Sequence, residues 1–281
     1  MGKANTKEKK KSQKEINREN IHAGLALIVN HPLFGHISCP KYIRDKKTMG
    51  ATAYATVDSD GSINLNEDLT LAPKQWAYVI AHCMLHLCFG HFDEDKVPGF
   101  MITDFEGNKT KKTEFDPLLW NMACDIFVDK FLEDVKFGQS IHEKTEILGL
   151  GSCNDEITIY NQLIDKGISA GSNRFGTGSV GQPDMYGLEK PLTYTNSWRN
   201  YNPFVKQFSS ALAYSVSYAV SKAGGHEEVR SNSPAVNASR WFINHYPLLG
   251  GLAAHFKIVE DYGYCNKNDI HIAAIDVTLG E

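Results

Sequence analysis

The chain has 281 residues, room for one large domain or two small ones. Hydrophobic residues make up 42% and charged residues 22%, a globular balance that excludes a disordered or fibrous chain. The net charge of -4 gives no reason to expect a nucleic-acid partner.

Residues 1–19 are locally basic, with Lys3, Lys7, Lys9, Lys10, Lys11, Lys14 and Arg18 outnumbering Glu8, Glu15 and Glu19. The expectation is a frayed, solvated tail. Nothing there has the apolar core of a secretory signal, and no stretch of about 20 apolar residues could span a bilayer. Six cysteines are too few for a disulfide framework, so a reducing, cytoplasmic setting is expected.

Asn20 to Asn30 reads as a helix ending near Pro32. Two β-prone runs, Ala53 to Val57 and Ser62 to Asn66, flank Asp58-Ser59-Asp60-Gly61 and predict a hairpin. Lys74 to Phe89 follows Pro73, is apolar around most of its circumference and is stopped by Gly90, which predicts a buried helix. Lys96 to Asp116 is polar and reads as a loop. Pro117 to Phe137 and Asn154 to Lys166 resume helical spacing, the second stopped by Gly167. Residues 167–197 are glycine-rich and read as a linker or surface loop. Pro203 to Lys222 carries one more apolar stripe.

A weak internal repeat shapes the reading of the C-terminal part. Ala23, Ile28, Pro32, Leu33 and Gly35 align without a gap on Ala238, Ile243, Pro247, Leu248 and Gly250. The expected organisation is therefore a main unit over 20–166, the glycine-rich segment 167–197, and a helical segment with a truncated second copy over 198–281. An incomplete copy would leave an unpaired strand edge near Ile272 to Ile275, which predicts self-association.

The chemistry is concentrated in Ala81-His82-Cys83-Met84-Leu85-His86-Leu87-Cys88-Phe89-Gly90-His91. His82 and His86 are four apart, so on a helix both imidazoles project from one face and can share a tetrahedral zinc at about 2.0–2.1 Å each. The preceding strand pair could offer an edge to an extended peptide. In Trp120-Asn121-Met122-Ala123-Cys124-Asp125, Asn121 and Asp125 share a helix face, so one could bind the metal while the other orients a neighbour. The metal ligands expected are His82, His86 and Asp125, with His91 and Asn121 as alternative third ligands or supporting groups. Cys88 and Cys124 read as small buried hydrophobes.

These residues resemble a family of bacterial metallopeptidase-domain proteins, H-E-x-x-H zincins often accompanied by a von Willebrand factor A-like domain. The resemblance rests on His82-Cys83-Met84-Leu85-His86 with His91, on Leu119 to Asp125 where the family shows a WN-x-A-x-D block, and on Asp155 to Tyr160. It implies a helix-rich α+β, zincin-like domain with a small β-hairpin or sheet on the motif helix, zinc as cofactor, and a peptide or protein substrate. No von Willebrand-type segment is visible.

The departure lies at position 83, where Cys stands in place of the motif's Glu. That carboxylate is the general base, worth about 10²–10⁴-fold, or roughly 3–5 kcal/mol of barrier. A cysteine is too short to reach the same proton, and a thiolate on zinc would fill the position a water needs. The expectation is a zinc-binding pseudopeptidase with no intact catalytic residue. The alternatives are an active peptidase using another base, or a metal-free interaction module whose histidines are core residues.

Overall fold

A computed structural model describes residues 11–38, 41–43, 52–93, 96–98, 101–103, 109–111, 115–142, 155–167, 176–178, 182–188, 203–205, 207–208 and 210–212. The proposed repeat at 238–281 lies outside the described residues, as do most of the 198–281 segment and the far half of the helix expected at Pro203 to Lys222.

The architecture is α+β and helix-rich. Its central element is helix α2, Pro73–Cys88. Pro73 pre-sets the first turn, and the Gln75 side chain accepts a hydrogen bond from the Ala72 N–H, satisfying a donor the helix start leaves open. From Trp76 to Cys88 every side chain is buried, as an all-round apolar pattern requires when neighbours cover each side. Phe89 caps the end, and Gly90 leaves it at φ 69°.

Helix α1, Gln13–Val29, packs against α2. It begins well before Asn20, where the sequence pattern starts it, and so takes up part of the expected tail. Ser12 and Glu15 form a reciprocal capping box, and Asn17 and Arg18 anchor the first turns to Glu67. These polar contacts are invisible to apolar periodicity. At Gly24 the two helices meet so closely that an added Cβ would lie 2.8 Å from Trp76 Cβ.

The expected hairpin is present as β2, Ala55–Asp58, and β3, Ser62–Leu65, closed by Gly61 at φ 83°. It packs on α2. Strand β1, Lys41–Ile43, pairs parallel to β3, and β6, Met185–Tyr186, pairs parallel to β2, giving the sheet order β1-β3-β2-β6. The hairpin edge that the sequence offers to a peptide is thus taken by the chain itself. The expected loop at 96–116 also needs correction. It contains a two-stranded antiparallel ribbon, β4 (Met101–Thr103) with β5 (Lys109–Lys111), in which the β-prone Ile102 pairs with Thr110.

Helix α3, Pro117–Asp134, is capped by Asp116, whose Oδ1 accepts from the N–H groups of Leu118 and Leu119. Helix α4, Glu156–Lys166, is capped by Asp155 and packs on α3. The core is one contiguous cluster around α2, with Trp76, Trp120, Phe34, Phe127 and Phe131 fully enclosed. Cys88 and Cys124 are buried free thiols within it.

Candidate metal centre

Two rigid helices and one returning segment build the site. On α2, the four-residue spacing puts His82 and His86 on one face, their Nε2 atoms 2.9 Å apart. On α3, the same spacing aligns Asn121, Asp125 and Asp129 toward them. From the glycine-rich region come Gly176, Thr177 and Asp184. The sequence pattern makes that region a linker or surface loop. Its described parts instead run into the core and pair as β6, because Asp184 and Met185 find buried hydrogen-bond partners there.

His82, His86, Asp125 and Asp184 each present a donor atom, all within 4.8 Å of one another. His82 Nε2 lies 3.5 Å from Asp125 Oδ1 and 3.3 Å from Asp184 Oδ2. His86 Nε2 lies 3.3 Å from Asp125 Oδ1 and 3.9 Å from Asp184 Oδ1. Bonds of about 2.0–2.1 Å arranged tetrahedrally imply donor–donor edges of about 3.3 Å. The four residues therefore fit one cation with little movement.

The hydrogen bonds leave one oxygen of each carboxylate bare. Asp125 Oδ2 accepts from Asn121, and Asp184 Oδ2 accepts from the Thr177 N–H and hydroxyl. Asp125 Oδ1 and Asp184 Oδ1 are buried with no hydrogen-bond partner. An orphaned buried carboxylate oxygen is costly, and two beside a pair of imidazoles mark a place for a cation. Two carboxylates with two neutral imidazoles carry the charge that a divalent ion cancels.

Each imidazole is oriented from behind. His82 Nδ1 lies 2.8 Å from Asp129 Oδ1, which also accepts from the Tyr78 hydroxyl at 2.8 Å. His86 Nδ1 lies 2.8 Å from His91 Nδ1, and His91 Nε2 lies 2.8 Å from Glu156 Oε1, which Lys96 also reaches at 2.9 Å. If Glu156 is ionised, one set of tautomers satisfies this chain. His91 donates to Glu156 through Nε2, His86 donates to His91 through Nδ1, and His86 Nε2 keeps a free lone pair facing His82.

The electrostatics agree. Burial opposes charge on His82, yet Asp129, Asp125 and Asp184 outweigh it and raise its pKa well above the ordinary value. Burial, with the His82 charge beside it, drives His86 down to about 3. The 2.9 Å between their Nε2 atoms fits a hydrogen bond from one ring to the other. Burial and the neighbouring Asp184 raise Asp125 well above the carboxylate range. For Asp184 burial acts the same way, but the hydrogen bond from His82 and the two imidazoles prevail and lower it. A metal entering here displaces protons.

Of the sequence candidates, His82, His86 and Asp125 meet at one point. His91 does not join them: it stands behind His86, and its backbone carbonyl is held by the Trp120 indole N–H at 3.1 Å. Asn121 also stands behind, donating to Asp125 and accepting from the Met185 N–H. Cys83 is not one of the converging donors; its Sγ lies 3.6 Å from Thr177 Oγ1. Asp129 and Asp184 were missed. Asp129 carried a signal, being four residues beyond Asp125, whereas Asp184 in its glycine-rich surroundings carried none.

The model of a putative metallopeptidase domain family matches residues 15–175. The chain belongs to that family. Comparison with curated proteins and with solved structures found no match. The family match covers both histidines and the α3 carboxylates, and it stops just before Gly176, Thr177 and Asp184.

Proposed function

We propose that this chain is a metal-binding, catalytically silent member of the metallopeptidase family, built on a zincin-like arrangement with zinc as its metal. His82, His86 and Asp125 would hold the ion. When bound in a peptidase, zinc lowers the pKa of its water toward about 7 and polarises the scissile carbonyl.

The observation that carries the reading is Cys83. In the family motif this position supplies the general base. Here it is a fully buried thiol turned toward Thr177. Burial, and then the charge of Asp184, push its pKa up to about 12. A neutral thiol neither takes a proton from water at physiological pH nor returns it to a leaving amine. The surrounding groups retain a binding role: Asp129 and His91 orient the imidazoles, and Asn121 orients Asp125.

Metal analysis together with a peptide-cleavage assay tests this. The expected result is stoichiometric zinc that is lost in His82→Ala and His86→Ala, with no chelator-sensitive cleavage. Cleavage that survives Cys83→Ala and disappears in His86→Ala would replace the reading with an active enzyme using another base. Absence of bound zinc in the intact protein would replace it with a metal-free module.

A further inference from the structure

We infer that Asp184 is a fourth protein ligand, which closes the metal's coordination sphere and makes the ion a structural clamp for the chain from Gly176 to Tyr186. The inference rests on the metal-binding reading above and goes beyond it: a site with three protein ligands keeps a position open for water, and one with four does not.

Three independent observations support the fourth ligand. The first is position, with Asp184 oxygens 3.3 Å from His82 Nε2 and 3.9 Å from His86 Nε2, at distances like those of Asp125. The second is the hydrogen-bond arrangement. Thr177 secures Asp184 Oδ2 with two donors while Oδ1 is buried and unpartnered. The third is enclosure, since His82, His86 and Asp184 are 0% exposed and Asp125 is 4% exposed. A peptide carbonyl would have to enter the core to reach a metal held by these four side chains.

The segment that brings Asp184 is fixed by backbone bonds on both sides of it. Val57 N–H donates to the Asp184 carbonyl at 2.8 Å, Ser59 N–H to the Tyr186 carbonyl at 3.1 Å, and Met185 N–H to Asn121 at 2.8 Å. Thr177 Oγ1 also lies 3.0 Å from the Ala55 carbonyl, which competes with Asp184 for its single proton, while the Thr177 N–H keeps its own bond to Asp184 Oδ2. At Gly176, φ 80°, the backbone passes so near that a Cβ would collide with the Asp125 carboxylate and crowd that of Asp184. The ion would thus join α2, α3 and this segment across a span of sequence that includes most of the described core.

The test is reconstitution of the full chain with Co²⁺ alone, followed by visible spectroscopy with and without azide. With four protein ligands, the wild-type protein gives tetrahedral Co²⁺ bands that azide leaves unchanged. Asp184→Ala should bind Co²⁺ at least about 100-fold more weakly, a direct ligand mattering no less than an orienting partner, and its bands should shift when azide is added. Thr177→Val, which leaves Asp184 in place but loosens it, should weaken binding by about 10-fold and stay insensitive to azide.

An azide response in the wild-type protein, or wild-type Co²⁺ affinity in Asp184→Ala, would overturn the fourth ligand and leave the three-residue site standing. Failure of the wild-type protein to bind Co²⁺ would instead sink the metal-binding reading underneath. Should Asp184→Ala not fold, the isosteric Asp184→Asn serves, and the wild-type azide measurement requires no variant.

Discussion

Removing Asp129 is the sharpest probe of how the site is held. Its Oδ1 accepts from both the Tyr78 hydroxyl and His82 Nδ1 at 2.8 Å, and the residue is only 8% exposed. Asp129→Ala takes the acceptor from two closely bonded buried donors, each costing about 1–3 kcal/mol, and from the Gly176 N–H held at 3.4 Å by Oδ2, so the expected loss is at least about 2–6 kcal/mol. That is a large share of a typical domain stability of about 5–15 kcal/mol. Asp129→Asn keeps an acceptor oxygen that can serve both donors but turns its amide nitrogen toward the Gly176 N–H, and should cost about half as much. It also removes the negative charge that strengthens the bond to His82, so zinc affinity should fall about 10–100-fold. Urea unfolding of the metal-free protein measures the first quantity, and competition with a chelating dye measures the second. A loss under about 1 kcal/mol in Asp129→Ala, with zinc affinity unchanged, would refute the assignment of His82 Nδ1 to this carboxylate.

Other outcomes follow from the same geometry. Gly24→Ala gains about 1 kcal/mol of helix propensity, but its Cβ would sit 2.8–3.0 Å from Trp76, Ala77 and Pro73, and overpacking costs about 1–3 kcal/mol. The midpoint of urea unfolding should therefore fall, and a rise would mean that α1 does not approach α2 so closely. Gly176→Ala should lower both stability and zinc affinity, because its φ of 80° disfavours a side chain and the methyl group meets Asp125 and Asp184; wild-type affinity would contradict this. His31 is held neutral by burial, with its pKa lowered from 6.5 to about 4, while its Nδ1 accepts from the N–H groups of Leu33 and Phe34. The unfolded chain takes up this proton first as pH falls. Stability is therefore intact above about 6.5 and is lost, by at most about 3 kcal/mol, between 6.5 and about 4. His31→Gln should flatten that part of the pH–stability curve, and an unchanged slope would assign it elsewhere.

The motif helix was legible because its all-round apolar pattern, Pro73 at the start and Gly90 at the end are local signals, and the hairpin because Gly61 supplies its turn. The paired histidines and Asp125 were legible for a related reason: four-residue spacing on a helix is already geometry. The start of α1 was hidden because Ser12, Asn17 and Arg18 are held by polar contacts that hydrophobic periodicity does not register. His91 was left open between ligand and supporting group, and the structure puts it behind His86. A histidine just past a helix end can face the ion or back its ligand, and only the distant Glu156 and Trp120 decide which. Asp184 was illegible for the strongest reason. Its place depends on Thr177, Asn121 and Val57, three partners scattered along the chain that no local pattern joins.

The sheet order β1-β3-β2-β6 bears on how this chain could grip anything at all. Both rims of the hairpin are spoken for, one by β1 and the other by the short strand that follows Asp184. Among the described residues, the outer edges of this sheet are the three-residue β1 and the two-residue β6, so another polypeptide adding to it by its backbone would meet a far shorter ladder than the hairpin alone would offer.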